Sequence, residues 1–193
     1  MPERKLVVIG ASSGGLEAMI ALLPLLAPHY GIPTVLVLHQ RANRISGVPA
    51  MLAKHTHLRV IEPDDKQSIE TGCLYVAPPN YHLLVEKEKL LSLSSEAPVN
   101  YCRPAIDITL ETAASAYGCE VTACILSGSN RDGVEGARQV KQRGGRVYVQ
   151  RFTEATVPVM PAAVAAVVSI DGELTLREIA GMLNALAEEE RTR

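Results

Sequence analysis

The sequence has no tryptophan and only one phenylalanine, Phe152. Hydrophobic residues still make up 47% of its 193 positions, so aliphatic side chains must fill the core of a globular protein of ordinary composition. The length suits one domain. Basic residues number 19 against 21 acidic ones. The net charge of −2 therefore leaves no basic surplus of the kind that points to nucleic acid as a partner.

Cysteine pairs and long apolar runs are also missing. The four cysteines form no CxxC pair and none has a histidine at zinc-finger spacing, which favours buried free thiols in a reducing compartment. Residues 1–5 precede an apolar run of only four residues, far too short for a signal peptide. No segment approaches the roughly 18 apolar residues of a membrane span. We expect a soluble, cytoplasmic protein that does not insert into a membrane.

The most informative stretch lies at the start of the chain. The apolar run Leu6 to Ile9 is typical of a buried strand, and a glycine-bounded turn follows it with two serines, Ser12 and Ser13. A helical segment begins directly after Gly15. Ligands of open α/β sheets bind at the carboxyl ends of strands, where this turn would lie.

Apolar strands and helical segments alternate along the rest of the chain, without a linker or an internal repeat. This alternation predicts a single domain over residues 1–193, a doubly wound three-layer α/β/α fold with a mostly parallel sheet. Residues 82–85 and 90–93 flank a charged stretch and predict an antiparallel hairpin. We expect this hairpin to form an antiparallel edge of the sheet.

Three kinds of polar residue follow strands of the predicted sheet. Ser12 and Ser13 follow the first strand, His39 the second, and Asp132 a later one that ends near Leu126. Because parallel strands end at one edge, a nucleophile, a base and a carboxylate are offered to the same crevice. A serine hydroxyl needs a neutral imidazole to take its proton, and the imidazole needs a carboxylate to fix its tautomer.

Each of these residues also has a simpler explanation. Ser12 or Ser13 could cap the following helix, and Asp132, next to Gly133, could cap another. His39 alone is more typical of a hydrogen-bonded residue at the end of a strand. The convergence of all three groups on one edge favours the catalytic interpretation.

The glycines of this first turn are also compatible with two alternative functions. Residues 10–16 approximate the glycine pattern of short-chain dehydrogenases, and Arg41 and Arg44 could then bind a 2′-phosphate. Leu16 stands where a third glycine is expected, however, and the chain has no Tyr-x-x-x-Lys motif. The glycine pattern alone is a weak signal. A non-catalytic anion-binding module, using only the amino terminus of the helix, is the other alternative.

Several motifs in order along the chain together resemble one family. They are residues 9–15 (IGASSGG), the strand ending in His39, residues 75–78 (YVAP) with His82, residues 103–107 (RPAID), residues 126–133 (LSGSNRDG) and residues 160–161 (MP). From about Lys5 to Ala166 the sequence resembles the catalytic domain of the chemotaxis receptor methylesterases, the CheB family of protein-glutamate methylesterases.

The resemblance implies a role for each candidate residue. Ser12 matches the nucleophile, His39 the base and Asp132 the carboxylate of a Ser-His-Asp triad. Ser13 takes the place of a threonine beside the nucleophile, and Ser129 matches a position whose backbone N–H faces the oxyanion. The resemblance also implies a sheet of about seven strands.

The implied reaction is the hydrolysis of glutamyl methyl esters on the cytoplasmic helical bundles of chemoreceptors, with release of methanol. Many members also deamidate receptor glutamines. No metal or cofactor is implied, and the partners are a methylated chemoreceptor and, as a further expectation, a separate regulator or receiver protein.

The sequence departs from the family pattern in several places. Residues 40–43 (QRAN) follow His39, where the family commonly has Met-Pro, so this loop is expected to meet a different receptor surface. Asn130 replaces a common glycine, and asparagine tolerates positive φ. Full-length members carry an amino-terminal receiver domain, whereas here the first strand begins near Lys5, which indicates a stand-alone esterase or one part of a longer protein.

Overall fold

The computed structural model describes residues 5–39 and 47–192. Its main sheet has seven strands, and every pair of neighbours is parallel. In spatial order the strands are β10 (Gly172–Leu174), β9 (Arg146–Gln150), β8 (Val121–Ile125), β1 (Leu6–Ala11), β2 (Thr34–Leu38), β5 (Cys73–Val76) and β3 (Arg59–Ile61). The strand predicted from the opening apolar run is thus the central one, and all of its residues are buried.

Helices cover both faces of this sheet. The buried side chains of α1 (Gly15–Leu22), α2 (Val48–Leu52) and α6 (Leu176–Arg191) belong to one apolar cluster. Those of α3 (Ile106–Tyr117), α4 (Val134–Gln142) and α5 (Val159–Ala165) belong to a second. Alternate residues of β1 enter the two clusters, as a strand buried on both sides requires. The predicted three-layer α/β/α fold is confirmed.

The hairpin lies in a different place from the one that we predicted. It forms a second, antiparallel sheet, in which β7 (Leu90–Ser94) pairs with β6 (His82–Val85) and with β4 (Gln67–Ser68). The expectation of an antiparallel edge on the main sheet is therefore wrong. Leu83 and Leu91 are buried in the same cluster as α3, and the Thr109 hydroxyl of α3 donates to the Leu83 carbonyl. Packing against the helix fixes the position of the hairpin.

Two short strands, β4 and β10, were not predicted, because two or three residues carry too little periodicity. The first helix ends at Leu22 and passes into a 3₁₀ turn at Leu23–Leu25 that contains Pro24, which cannot continue the hydrogen bonds of an α-helix. The polar loop after β2, with Arg41 and Arg44, lies outside the described residues. In the ranges that the structure describes, no helix has the length and hydropathy needed to cross a membrane.

The strand order places a switch point at the middle of the sheet. β1 lies between β2 and β8, and the helices that follow β1 and β8 pack on opposite faces. A crevice opens at such a point, outside the carboxyl ends of the strands. The turns that follow β1 and β8 border this crevice.

Helices α3 and α4 approach closely at Gly136. A Cβ there would lie 2.6 Å from Leu110 Cβ and 2.9 Å from the Asp107 carbonyl oxygen. We expect Gly136→Ala to lower the free energy of unfolding by about 1–3 kcal/mol through overpacking, as measured by urea denaturation.

Gly181 in α6 offers a matched control. It is exposed, and a Cβ there would meet no atom within 4 Å. Gly181→Ala should raise the free energy of unfolding by about 0.5–1 kcal/mol, because alanine has the better helix propensity. Effects of the same sign for both substitutions would contradict the close approach of the two helices.

Candidate active site

The turn between β1 and α1 carries the two serines. Gly14 is the N-cap residue of α1 with a φ of 77°, and no side chain caps this helix. A Cβ on Gly14 would lie 2.7 Å from Ser127 Oγ and 2.7 Å from Thr156 Cβ, so glycine is required by both conformation and space. Ser12 is half-buried and Ser13 is exposed. Neither serine caps the helix, and the simpler explanation of the pair does not hold.

Ser127, at the end of β8, joins this turn to the neighbouring loops. The Ser12 N–H donates to the Ser127 carbonyl at 2.9 Å, and the Ser127 hydroxyl donates to the Ser13 carbonyl at 2.6 Å. The Val157 N–H donates to the same hydroxyl at 2.9 Å, and the Ser127 N–H donates to Gln150 Oε1 at 2.9 Å. Ser127 was not predicted as a site residue, although a hydroxyl directly after a buried strand was a visible signal.

His39 lies beside Ser12 through the register of β1 and β2. Ala11 pairs with Leu38, and the His39 N–H donates to the Ala11 carbonyl at 3.1 Å. Ser12 and His39 are each the next residue after this pair. Because neighbouring strands are about 4.8 Å apart, the two residues lie side by side at the carboxyl edge of the sheet.

Asp132 is fully buried and accepts hydrogen bonds from several segments. Its Oδ2 lies 2.8 Å from His39 Nε2 and accepts the Ile106 N–H at 2.6 Å, while Oδ1 accepts the Asp107 N–H at 3.0 Å. Burial favours the protonated acid, but the bonds from His39 and from the start of α3 outweigh it and lower the pKa of Asp132. The carboxylate is thus held ionised against the imidazole.

A second carboxylate completes a reciprocal arrangement of two helices. Asp107, in the first turn of α3, accepts the N–H groups of Gly133 and Gly136 at the start of α4, at 2.9 and 2.7 Å. Asp132, just before α4, accepts those at the start of α3. Asn100 Nδ2 lies between the carboxylates, 2.8 Å from Asp107 Oδ2 and 3.4 Å from Asp132 Oδ1. Asp132 is therefore a helix cap, but of α3 and not of the helix that follows it.

The environment of Asp107 differs from that of Asp132. Burial raises the pKa of Asp107 to about 6, and the charge of the neighbouring Asp132 adds to this effect. Only Asp132 touches the imidazole. As the pH falls towards 6, Asp107 therefore takes up a proton first, whereas Asp132, with its lowered pKa, stays ionised against His39.

The two nitrogens of His39 meet different surroundings. Nε2 faces Asp132, whereas Nδ1 lies 3.3 Å from Asn130 Nδ2 and 3.7 Å from Cys102 Sγ. Over the described residues, Ser12 is not a hydrogen-bond partner of the ring. Burial by itself lowers the pKa of His39, but the hydrogen bonds with Asp132 and Cys102 together raise it to about 9.

The remaining predicted residues, Ser13 and Ser129, meet at the surface of the crevice. Their hydroxyl oxygens are 3.1 Å apart. The backbone N–H of Ser129 donates to no acceptor in the part of the chain that the structure describes. Free donors next to the amino terminus of α1 suit a developing negative charge.

Cys102 and Asn130 surround the imidazole and were not predicted as functional residues. Cys102 follows two residues of positive φ, Asn100 and Tyr101, and Tyr101 is fully exposed. Among the described cysteines all are free, as expected, but Cys102 is half-buried and Cys119 is exposed rather than buried. The ligand atoms of His39, Cys102 and Asp132 lie within 4.8 Å of one another and could contact a metal ion.

Two other histidines have partners in the backbone. His82 is buried, and its ring accepts the Ala105 N–H at 3.2 Å and donates to the Ala97 carbonyl at 3.0 Å. His57 contacts the Tyr30 carbonyl at 3.1 Å. His39 is therefore the histidine placed at the carboxyl edge beside a serine and a carboxylate.

Comparison with known proteins identifies the family. A family profile described as CheB methylesterase matches residues 7–183, most of the chain. The chain belongs to the CheB methylesterase family. This confirms the resemblance drawn from the motifs, and neither the dehydrogenase nor the anion-binding alternative is favoured.

Individual CheB relatives agree with this assignment. The chain is 40% identical over 174 residues to a putative protein-glutamate methylesterase/protein-glutamine glutaminase of Leptospira interrogans, covering 90% of each chain. It is 36% identical to the protein-glutamate methylesterase/protein-glutamine glutaminase of Nocardioides sp., but spans 48% of that longer protein. The crystal structure of the Thermotoga maritima CheB methylesterase catalytic domain superposes with a TM-score of 0.90 at 32% identity, covering 95% of this chain and 99% of that one.

The contact between Cys102 and His39 predicts a measurable titration. By NMR we expect the imidazole of His39 to titrate near its pKa of about 9. Cys102→Ser should move this midpoint to lower pH, because the Cys102 contact raises the pKa. Cys119→Ser, at an exposed cysteine, is the matched control and should leave the midpoint in place. An unchanged midpoint in Cys102→Ser would refute the contact.

Proposed function

We propose that the chain is a serine hydrolase that removes methyl esters from glutamate side chains of chemoreceptors, and that it also deamidates receptor glutamines. The observation that carries this proposal is the buried Asp132 carboxylate, 2.8 Å from His39 Nε2, at the sheet edge where Ser12 stands next to His39. The activities named for the Leptospira and Nocardioides relatives support it.

The arrangement assigns a role to each nitrogen of His39. With a pKa of about 9 the ring carries both protons near neutral pH; in its deprotonated fraction, Asp132 accepts the hydrogen on Nε2 and the lone pair lies on Nδ1. Nδ1 is thus the atom that takes the proton of Ser12 Oγ when this oxygen attacks the ester carbonyl. Contacts between a nucleophile and its base commonly tighten only when substrate is bound.

The proton then returns to the leaving group. His39 protonates the departing methoxide, methanol leaves, and an acyl-enzyme ester remains on Ser12. Water, deprotonated by the same Nδ1, attacks this ester and regenerates the serine and a glutamate carboxylate. Asp132 stays ionised throughout and stabilises the imidazolium. The reaction needs these side chains and water, with no redox step.

The oxyanion has donors on the other side of the crevice. In this proposal the Ser129 N–H and the hydroxyl of Ser13 face the carbonyl oxygen as it becomes negative. The hydroxyl groups of Ser13 and Ser129 are within hydrogen-bond distance of each other. When the oxyanion forms between the two residues, it would replace this contact and accept from both of them. The positive end of α1 adds to this stabilisation.

The proposed substrate is a protein, and the site is open enough to receive one. Ser13 is exposed and Ser12 is half-buried, so a side-chain ester projecting from a receptor helix can reach the nucleophile. CheB methylesterases act on methylated chemoreceptors. We place this chain as a single catalytic domain on their cytoplasmic bundles, in the cytoplasm, under a regulator or receiver protein.

Ser12→Ala should abolish methanol release from methylated receptor membranes, by at least about a thousandfold, because the nucleophile is lost. Thermal unfolding should be unchanged, since no hydrogen bond joins this hydroxyl to another residue in the ranges that the structure describes. Ser13→Ala is the matched control. Its loss should be smaller, at most the roughly 10²–10³-fold that follows removal of an oxyanion donor. Methanol release that persists in Ser12→Ala, or an equal loss in both variants, would refute the assignment.

A further inference from the structure

Cys102 occupies the side of His39 that faces away from Asp132. Its Sγ lies 3.7 Å from His39 Nδ1 and 3.4 Å from Asn130 Nδ2. The thiol is free and half-buried, and it also donates to the Asn100 carbonyl at 3.4 Å. Ester hydrolysis by Ser12 requires no thiol at this position. The cysteine therefore gives the site a chemical property that the hydrolysis does not use.

The orientation of His39 is that of a metal-binding histidine. Such histidines donate one ring N–H to a carboxylate and present the other nitrogen to the metal. Here Nε2 contacts Asp132, and this carboxylate is fixed by the backbone N–H groups of Ile106 and Asp107. The ring is thus held with Nδ1 directed at Cys102.

The separation of the two potential ligand atoms fits zinc. Zn²⁺ binds thiolate sulfur at about 2.3 Å and imidazole nitrogen at about 2.0–2.1 Å, so tetrahedral geometry places these atoms about 3.6 Å apart. The distance between Cys102 Sγ and His39 Nδ1 is 3.7 Å. Asn130 Oδ1 accepts the Asp132 N–H and keeps this bond. The metal would replace the contacts of Asn130 Nδ2 and Cys102 Sγ with Nδ1, and loss of the thiol proton would end the donation from Cys102 to the Asn100 carbonyl.

We propose that His39 Nδ1 and Cys102 Sγ bind a thiophilic divalent cation such as Zn²⁺, and that this cation inhibits the enzyme by occupying the lone pair of the base. The thiol proton passes to solvent as the metal–sulfur bond forms, a protonated ring releases its Nδ1 proton to solvent as the metal–nitrogen bond forms, and no electron is transferred. Waters complete the coordination sphere. The binding stands on the geometry alone, whereas the inhibition rests on the proposed function.

Cobalt provides a test of the binding that is independent of activity. Co²⁺ is titrated into the wild type, Cys102→Ser, Cys119→Ser and Ser12→Ala, and the thiolate-to-cobalt charge-transfer absorption is recorded. We expect a saturable band with one equivalent of Co²⁺ in the wild type, Cys119→Ser and Ser12→Ala, and its loss in Cys102→Ser. Absence of the band from the wild type, or its persistence in Cys102→Ser, would overturn the site.

The inhibition is tested with Zn²⁺ and the release of methanol from receptor membranes. Zn²⁺ should inhibit the wild type and Cys119→Ser, reversibly with EDTA, and Cys102→Ser should require at least about tenfold more Zn²⁺. Equal sensitivity of wild type and Cys102→Ser would overturn the inhibition. If no protein releases methanol but the cobalt band still depends on Cys102, the metal site stands and the proposed hydrolysis fails.

Discussion

The buried carboxylate of Asp132 is the group on which the site depends. It receives donors from the end of β2, through His39, and from the start of α3, through two backbone N–H groups. A carboxylate without exposure to water is stable only when such partners surround it. The same bonds that keep Asp132 ionised also fix the imidazole, so the position of α3 and the orientation of His39 are coupled.

This coupling extends to the packing of the domain. Asp107 returns the interaction by capping α4, and the two helices come so close at Gly136 that a side chain there would meet Leu110. The second sheet packs on α3 from the other side, through Leu83 and its neighbours. The antiparallel sheet therefore supports α3, the helix whose amino terminus holds Asp132.

The two ring nitrogens of His39 contact groups of different chemistry, a carboxylate and a thiol. The contact with Asp132 orients the ring and stabilises the imidazolium that forms when the base takes a proton. The contact with Cys102 adds to the basicity and also presents sulfur next to nitrogen. In the proposed mechanism the hydrolysis uses Ser12, His39 and Asp132, and the thiol takes no part in it. In the proposed metal site the thiol makes the enzyme sensitive to soft metal ions.

The sequence by itself determined the parallel α/β core and the three residues at its edge, because apolar runs and the turns after them are local patterns. Ser12, His39 and Asp132 could be predicted for that reason, and the family motifs selected Ser12 over Ser13. Only the tertiary structure decided which side chains surround these three residues. Cys102 is 63 residues from His39, and local spacing carries no information about neighbours across a sheet. The separate sheet was likewise decided by burial against α3, which no pattern within the hairpin specifies.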